Sequence, residues 1–229
     1  MTGLAGAQLM PCQIDGLILS ENADPNTILP GGSVACQGGG TFAHAYGRSH
    51  DVAELNLSGD VALTCVHWGI EKSDEAHTAV VRVYLDIDGD RVPGSSTGDL
   101  VELGSATQEI PATSDPMMVT FNFVPDMEWD SLVTSLIFIE LETPSSSGDL
   151  IIGANNAGES TPSYLRTING DCNIPDWTTT GSIGFPSVAY VEAAEFMLAG
   201  TGDPCDELLP ECVADIAGPG EELDQQVDV

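Results

Sequence analysis

Residues 155–186 read NNAGESTPSYLRTINGDCNIPDWTTTGSIGFP, and the fold class turns on this stretch. Pro162, Pro175 and Pro186 each remove a backbone donor, and glycine, asparagine, serine and threonine punctuate the residues between them. No helix survives such a run. Two short apolar islands remain, Tyr164-Leu165-Arg166 and Ser182-Ile183-Gly184-Phe185, on either side of a loop that contains Cys172. They read as two short strands around a loop pinned by that cysteine.

The rest of the chain agrees with a β reading. Ile14 to Leu19 suggests a first strand, and Asn22 to Gly40, crowded with proline, glycine and asparagine, a long loop. Phe42, His44, Tyr46 and Arg48 share one face of the next strand by period two. A turn at Ser58-Gly59-Asp60 leads into Val61 to Ile70, where Val66, Trp68 and Ile70 alternate as core residues do. Val80 to Ile87 fits a half-buried pleat. Leu100 to Ile110, Met117 to Val124, Leu132 to Leu141 and Asp149 to Gly153 continue the series. Val188 to Leu198 closes it, although its alanines and glutamates also suit a helix. The pattern predicts an all-β protein, an antiparallel β-sandwich, jelly-roll-like, of about ten strands. Residues 30–200 form the sandwich, with 1–29 adding an N-terminal strand and loop, and 201–229 an acidic tail.

The segments NAG, PSYLR, DCNIP and SIGFP within 155–186 resemble the closing motif of a β-sandwich module found in large secreted and surface proteins of bacteria. That pattern runs N-x-x-G-x-x-x-P-S-Y-(I/L), then C-G-I, then I-G-F-P, before a last long strand. Asn173 stands where the module has glycine. Upstream, Ser33 to Gln37, Tyr46 to Asp51, Val66 to Glu71 and Val81 to Tyr84 follow in the module's order, so the resemblance covers about residues 30 to 200. It implies a fold, a secreted setting and a Cys36–Cys172 disulfide, but no chemistry. A second resemblance lies in the tail: Ala214-Asp215-Ile216-Ala217-Gly218-Pro219-Gly220 and Val227-Asp228-Val229 are similar to the opening of a dockerin-like calcium repeat. Pro219 occupies a ligand position and the spacing is expanded, so a degenerate remnant in a flexible tail is expected.

Composition limits the function classes. The chain has 36 acidic residues against 5 basic ones, a net charge of −31. Such a surface repels phosphates, which argues against nucleic acid and anionic membranes and favours divalent cations or basic partners. The 42% hydrophobic content suffices for an ordinary core. No apolar run is long enough to span a membrane. Residues 1–7 (MTGLAGA) lack a basic start and an apolar core, yet Ala5-Gly6-Ala7 has the form of a cleavage site, so a truncated leader is expected. The six cysteines, at 12, 36, 65, 172, 205 and 212, include no C-x-x-C pair. An oxidised, extracytoplasmic protein is the stronger reading and metal ligation the weaker. Cys205 and Cys212 would close a local loop, which leaves Cys12 with Cys65; sequence alone leaves these pairings open.

Candidate sites are few. Asp86, Asp88 and Asp90 alternate around Gly89 and supply the hard oxygens calcium requires. The spacing is not that of an EF-hand, and a hairpin-type turn with solvated acids is the plainer alternative. Asp99 and Glu102 would join the shell if the loop folds back. His44, His50, His67 and His77 lack the spacing of a zinc or acid–base set, although His44 and His67 lie on strands that could be neighbours. No G-x-S-x-G elbow occurs, and the Gly38-Gly39-Gly40 run lacks the lysine of a phosphate loop. Trp129 and Trp177, in loop-like surroundings, are the candidates for exposed ligand contacts. The expectation is a non-catalytic extracellular protein, a structural or self-assembling subunit of a surface or filament. Its partners would be itself, other surface proteins or glycans. A glycan- or protein-binding adhesion module is the alternative, and a secreted hydrolase ranks third.

Overall fold

The computed structural model describes residues 12, 16–57, 59–94 and 100–199. The chain divides into two units, Met1–Leu198 and Ala199–Val229, and every element below belongs to the first. Residues 1–7, Cys205, Cys212, the tail 201–229 and Asp99 lie outside the described residues.

Thirteen strands are present among the described residues: β1 (Leu17–Leu19), β2 (His44–Asp51), β3 (Asp60–Ser73), β4 (His77–Asp86), β5 (Leu100–Ile110), β6 (Met117–Asp130), β7 (Leu136–Thr143), β8 (Leu150–Ile152), β9 (Ala154–Asn155), β10 (Tyr164–Thr167), β11 (Thr178–Thr179), β12 (Ala189–Tyr190) and β13 (Glu192–Leu198). All pairings between them are antiparallel. One sheet runs β1-β13-β3-β6, with β8 extending the β13 lane along the end of β3. The other runs β11-β10-β2-β7-β4-β5, and β9 and β12 form a separate pair. The chain passes from β2 in the second sheet to β3 in the first and back to β4, and again through β5, β6 and β7. These inter-sheet crossings make the sandwich jelly-roll-like. The excess over about ten strands consists of pieces two to four residues long.

β3 is the spine. Val61, Leu63, Val66, Trp68 and Ile70 all enter the core, a series that changes phase between 63 and 66. Against β13, Leu63 and Cys65 stand opposite the consecutive Phe196 and Glu195, so Thr64 is the extra residue that a bulge in β3 absorbs. On β13, Ala194 and Phe196 stand opposite Val66 and Leu63 and join the same core. The final segment is therefore a strand, not a helix. Ala194, opposite Val66, is fully buried in that core. From the second sheet, Tyr46, Val81, Val83, Ile137, Ile139 and Leu141 complete the interior.

Three expectations shift. Ser182 to Phe185 is a series of turns rather than a strand, and Thr178–Thr179 supplies the short edge instead. Gly184 adopts φ +100°, a left-handed conformation incompatible with a ladder. Leu132 and Val133 form an exposed turn, capped where Asp130 accepts from Leu132 N at 2.9 Å, so β7 begins at Leu136. Trp129 lies inside β6, 8% exposed and part of the core, not in a loop.

Candidate functional site

β2 turns an unusual set of side chains towards the interior. Period two puts His44, Tyr46, Arg48 and His50 on one face, and none of the four is exposed at all. His44 Nε2 accepts from the Cys36 amide at 2.7 Å, beside the disulfide. Burial pushes its pKa down to about 4, so the ring is neutral at pH 7. Arg48 donates to Tyr190 O at 3.2 Å and Ser163 Oγ at 2.6 Å, and its charge is met by Glu159. Ser163 Oγ in turn bonds Glu159 at 2.6 Å and accepts from Tyr190 N at 3.1 Å. These bonds tie β2 to the 159–163 turn and to β12. His50 sits between two buried carboxylates, with Nε2 2.9 Å from Glu192 Oε2 and Nδ1 3.6 Å from Glu21 Oε1. Both are ion-pair contacts, and neither is a hydrogen bond. The rings of Tyr46 and Tyr190 meet edge to face at 5.4 Å, and burial pushes both phenols up. A carboxylate–imidazole–carboxylate arrangement has the parts of an acid–base relay, but Glu21, His50 and Glu192 are all within 2% of fully buried.

The acidic loop after β4 brings oxygens of Asp86, Asp88 and Asp90 within 4.8 Å of one another. Asp86 is buried, and its two oxygens accept from Gly89 N at 2.9 Å and Arg91 N at 3.0 Å. Asp88 accepts from Asp90 N at 3.2 Å, and Asp90 from Val92 N at 2.7 Å. The loop is thus held by its own amides, with Gly89 at φ +76° making the turn. The Arg91 side chain leaves the loop to meet Asp51 at 2.6 Å.

The two tryptophans do not share a face. Trp129 donates to Thr134 O at 3.1 Å and packs edge-on to Phe196 at 6.2 Å, inside the sandwich. Its surroundings looked loop-like because Asp126, Glu128 and Asp130 flank it, but those acids alternate outward from a strand whose inward residues are Met127 and Trp129. Trp177 is half-buried on the outer face of the six-stranded sheet, 5.0 Å from Phe138 and 4.9 Å from the Arg166 guanidinium. Arg166 and Arg82 both reach Glu140, at 2.9 and 3.6 Å, and Tyr84 donates to it at 3.2 Å.

Among the described residues there are two disulfides, Cys36–Cys172 and Cys12–Cys65. Beside the second lie His67 and Glu195, a grouping not anticipated from the sequence. Its signals were the alternation Cys65-Val66-His67 and the spacing of Glu192 and Glu195. Residues three apart on a strand face opposite ways, so two buried glutamates there require cover on both sides of the sheet.

Comparison with known proteins adds little. No family model matches the chain, and no curated protein matches it. Among solved structures, the structure of infectious bursal disease virus Gt strain aligns with 82% of this chain and 45% of that one, at 12% identity and a TM-score of 0.26. A likeness that weak carries no argument.

Proposed function

We propose that the chain is a non-catalytic extracellular β-sandwich protein, a structural or self-assembling subunit of a surface or filament. The observation that supports this best is the pair of long open edges. Among the described residues, β5, of 11 residues, and β6, of 14, each end a sheet and are hydrogen-bonded to a neighbouring strand on one side only. Such edges are templates for strand addition from a second chain. β5 is largely exposed along its length and carries Glu102 and Glu109, which bias it against indiscriminate pairing. The burial of the Glu21–His50–Glu192 set supports the non-catalytic part, because no substrate reaches a relay sealed between two sheets. The two disulfides support the extracellular setting. Calcium at Asp86, Asp88 and Asp90 belongs to the same reading, as a bridge or brace for acidic surfaces. The glycan-binding alternative asks for Trp129 and Trp177 together on one exposed face, and Trp129 is in the core.

Negative-stain microscopy of purified protein with and without calcium, paired with a glycan array, is the test. Ordered polymers that disappear when Thr107, exposed on β5, is replaced by Pro support the structural reading. A monodisperse monomer that retains a glycan would replace it with the binding module. Hydrolytic turnover abolished by a point mutation would overturn both.

A further inference from the structure

On the outer face of the five-stranded sheet, three neighbouring strands bring a distinct cluster together. β3 presents Cys65 and His67, two residues apart and so on one side. β13 places Glu195 directly opposite Cys65, and β6 places Thr120 directly opposite His67. Cys12 reaches in from the N-terminal side and donates its amide to Glu195 Oε2 at 2.6 Å. Gly16 passes so close that a Cβ there would lie 2.0 Å from Glu195 Oε1. Cys65, His67 and Glu195 are essentially unexposed, and Cys12 is half-buried. The pairing of β3 with β13 is irregular at this point: Leu63 and Cys65 stand opposite the consecutive Phe196 and Glu195, so Thr64 is the extra residue of a bulge in β3. Bulges of this kind re-aim side chains beside functional sites.

The distances are those of a metal shell. His67 Nε2 lies 3.4 Å from Cys65 Sγ and 4.0 Å from Cys12 Sγ, and Cys65 Sγ lies 3.9 Å from Glu195 Oε2. One ligand atom from each of the four residues falls within 4.8 Å of all the others. A tetrahedral Zn²⁺ with ordinary Zn–S, Zn–N and Zn–O bonds has ligand–ligand edges of about 3.3–3.8 Å. The His67 Nε2–Cys65 Sγ, His67 Nε2–Cys12 Sγ and Cys65 Sγ–Glu195 Oε2 edges are therefore within about half an ångström of that shape, while the two sulfurs are bonded to each other. The far ring nitrogen is also placed as a ligating histidine needs: His67 Nδ1 is 2.9 Å from Thr120 Oγ1, a contact that orients the ring with Nε2 towards the sulfurs. A disulfide alone gives no reason for a buried glutamate and an oriented imidazole to converge on its sulfurs.

We propose that Cys12, Cys65, His67 and Glu195 form a Zn²⁺ site when the Cys12–Cys65 bond is reduced, so that the chain holds either a disulfide or a metal at one place. A dithiol supplies two electrons and two protons, splits the Sγ–Sγ bond and leaves as its own disulfide. The two thiols then lose their protons to solvent as Zn²⁺ binds both sulfurs, His67 Nε2 and one Glu195 oxygen. Two thiolates and one carboxylate outweigh the dication, so the occupied site keeps a single negative charge. Either cross-link fastens the N-terminal segment to β3, one by a covalent bond and the other by a shared ion.

The test uses the full chain, reduced with a phosphine and titrated with Co²⁺ in place of Zn²⁺. One equivalent should give sulfur-to-cobalt charge transfer and the intense visible bands of a tetrahedral ion, both erased by added Zn²⁺. The oxidised chain and a Cys12→Ser/Cys65→Ser variant should give neither, although the latter keeps Cys36, Cys172, Cys205 and Cys212 as thiols. Thr120→Val, which leaves all four ligands in place, should weaken binding about 10–100-fold. Alkylation of the reduced wild type, mapped by mass spectrometry, provides a readout independent of any variant's folding. Zn²⁺ should shield Cys12 and Cys65 and leave Cys36 and Cys172 reactive. Absence of tetrahedral cobalt, equal binding by the double-serine variant, or alkylation unchanged by Zn²⁺ at Cys12 and Cys65 would each overturn the site.

Discussion

His44 and Asn173 show how much single residues carry near the Cys36–Cys172 bond. His44 is neutral when folded because burial pushes its pKa down to about 4, below the roughly 6.5 of an exposed imidazole. The unfolded chain therefore takes up the proton first. The stabilisation is complete above about pH 6.5 and is lost as pH falls towards 4, on the order of 3 kcal/mol in all. We expect His44→Gln, whose carbonyl oxygen can still accept from the Cys36 amide, to flatten chemical-denaturation stability over that pH range relative to wild type. An unchanged slope would mean that another group dominates acid unfolding. Asn173 has φ +58° and its side chain is exposed, directly after Cys172 at φ +52°. The position that holds glycine in the resembling module thus needs a left-handed residue, and asparagine is among the few others that tolerate one. Asn173→Gly should leave the melting temperature unchanged or raise it slightly. Asn173→Val should cost about 1–2 kcal/mol by the same steric argument, and a neutral valine would refute it.

At the scale of elements, the disulfides and β3 do most of the organising. Cys36 and Cys172 are 136 residues apart, so opening their bond releases a very long loop in the unfolded chain. The chain-entropy account assigns this about 4–5 kcal/mol. Cys36→Ala/Cys172→Ala should lower the denaturation midpoint accordingly, with the slope of the transition showing whether the unfolded state has expanded. A loss below about 1 kcal/mol would show that the loop is already constrained without the bond. These elements were unevenly legible in the sequence. β3 could be read directly, since the alternation of Val66, Trp68 and Ile70 is the alternation of a strand with one face in the core. β5 was legible to its ends, Leu100 and Ile110. The cluster around His67 was not legible, because Cys12 and Glu195 are remote in sequence from Cys65 and His67 and reach them only through the disulfide and the pairing of β13 with β3. A bulge at Thr64 sets that register, and local composition gives no sign of it. Trp129 was misplaced for a related reason. Its acidic neighbours suggest a loop when counted, but a strand when their alternation is followed.

The whole molecule is governed by its charge. All five basic side chains are committed inside the chain: Arg48 to Glu159, Lys72 to Asp74 and Asp149, Arg82 to Glu140 and Glu142, Arg91 to Asp51, and Arg166 to Glu140. No cationic side chain is left to meet an acidic neighbour, so two copies approaching edge to edge present like charges. On the proposed assembly reading, association through β5 or β6 would then depend on mobile cations. Salt shortens the screening length from about 10 Å at 0.1 M to about 3 Å at 1 M, which relieves repulsion without a specific site. Calcium at Asp86, Asp88 and Asp90 would act at millimolar concentration, far too dilute to screen. The two routes separate in one experiment. Sedimentation velocity should show a monomer in dilute buffer and larger species in 1 M salt, for wild type and Asp88→Ala alike. Millimolar calcium should raise both the sedimentation coefficient and the melting temperature of wild type, and Asp88→Ala should lose both responses while keeping the salt response. If Asp88→Ala still responds to calcium, the ion acts elsewhere on the acidic surface. If wild type stays monomeric in every condition, the assembly reading fails, and the open edges of β5 and β6 must be protected by their own charge.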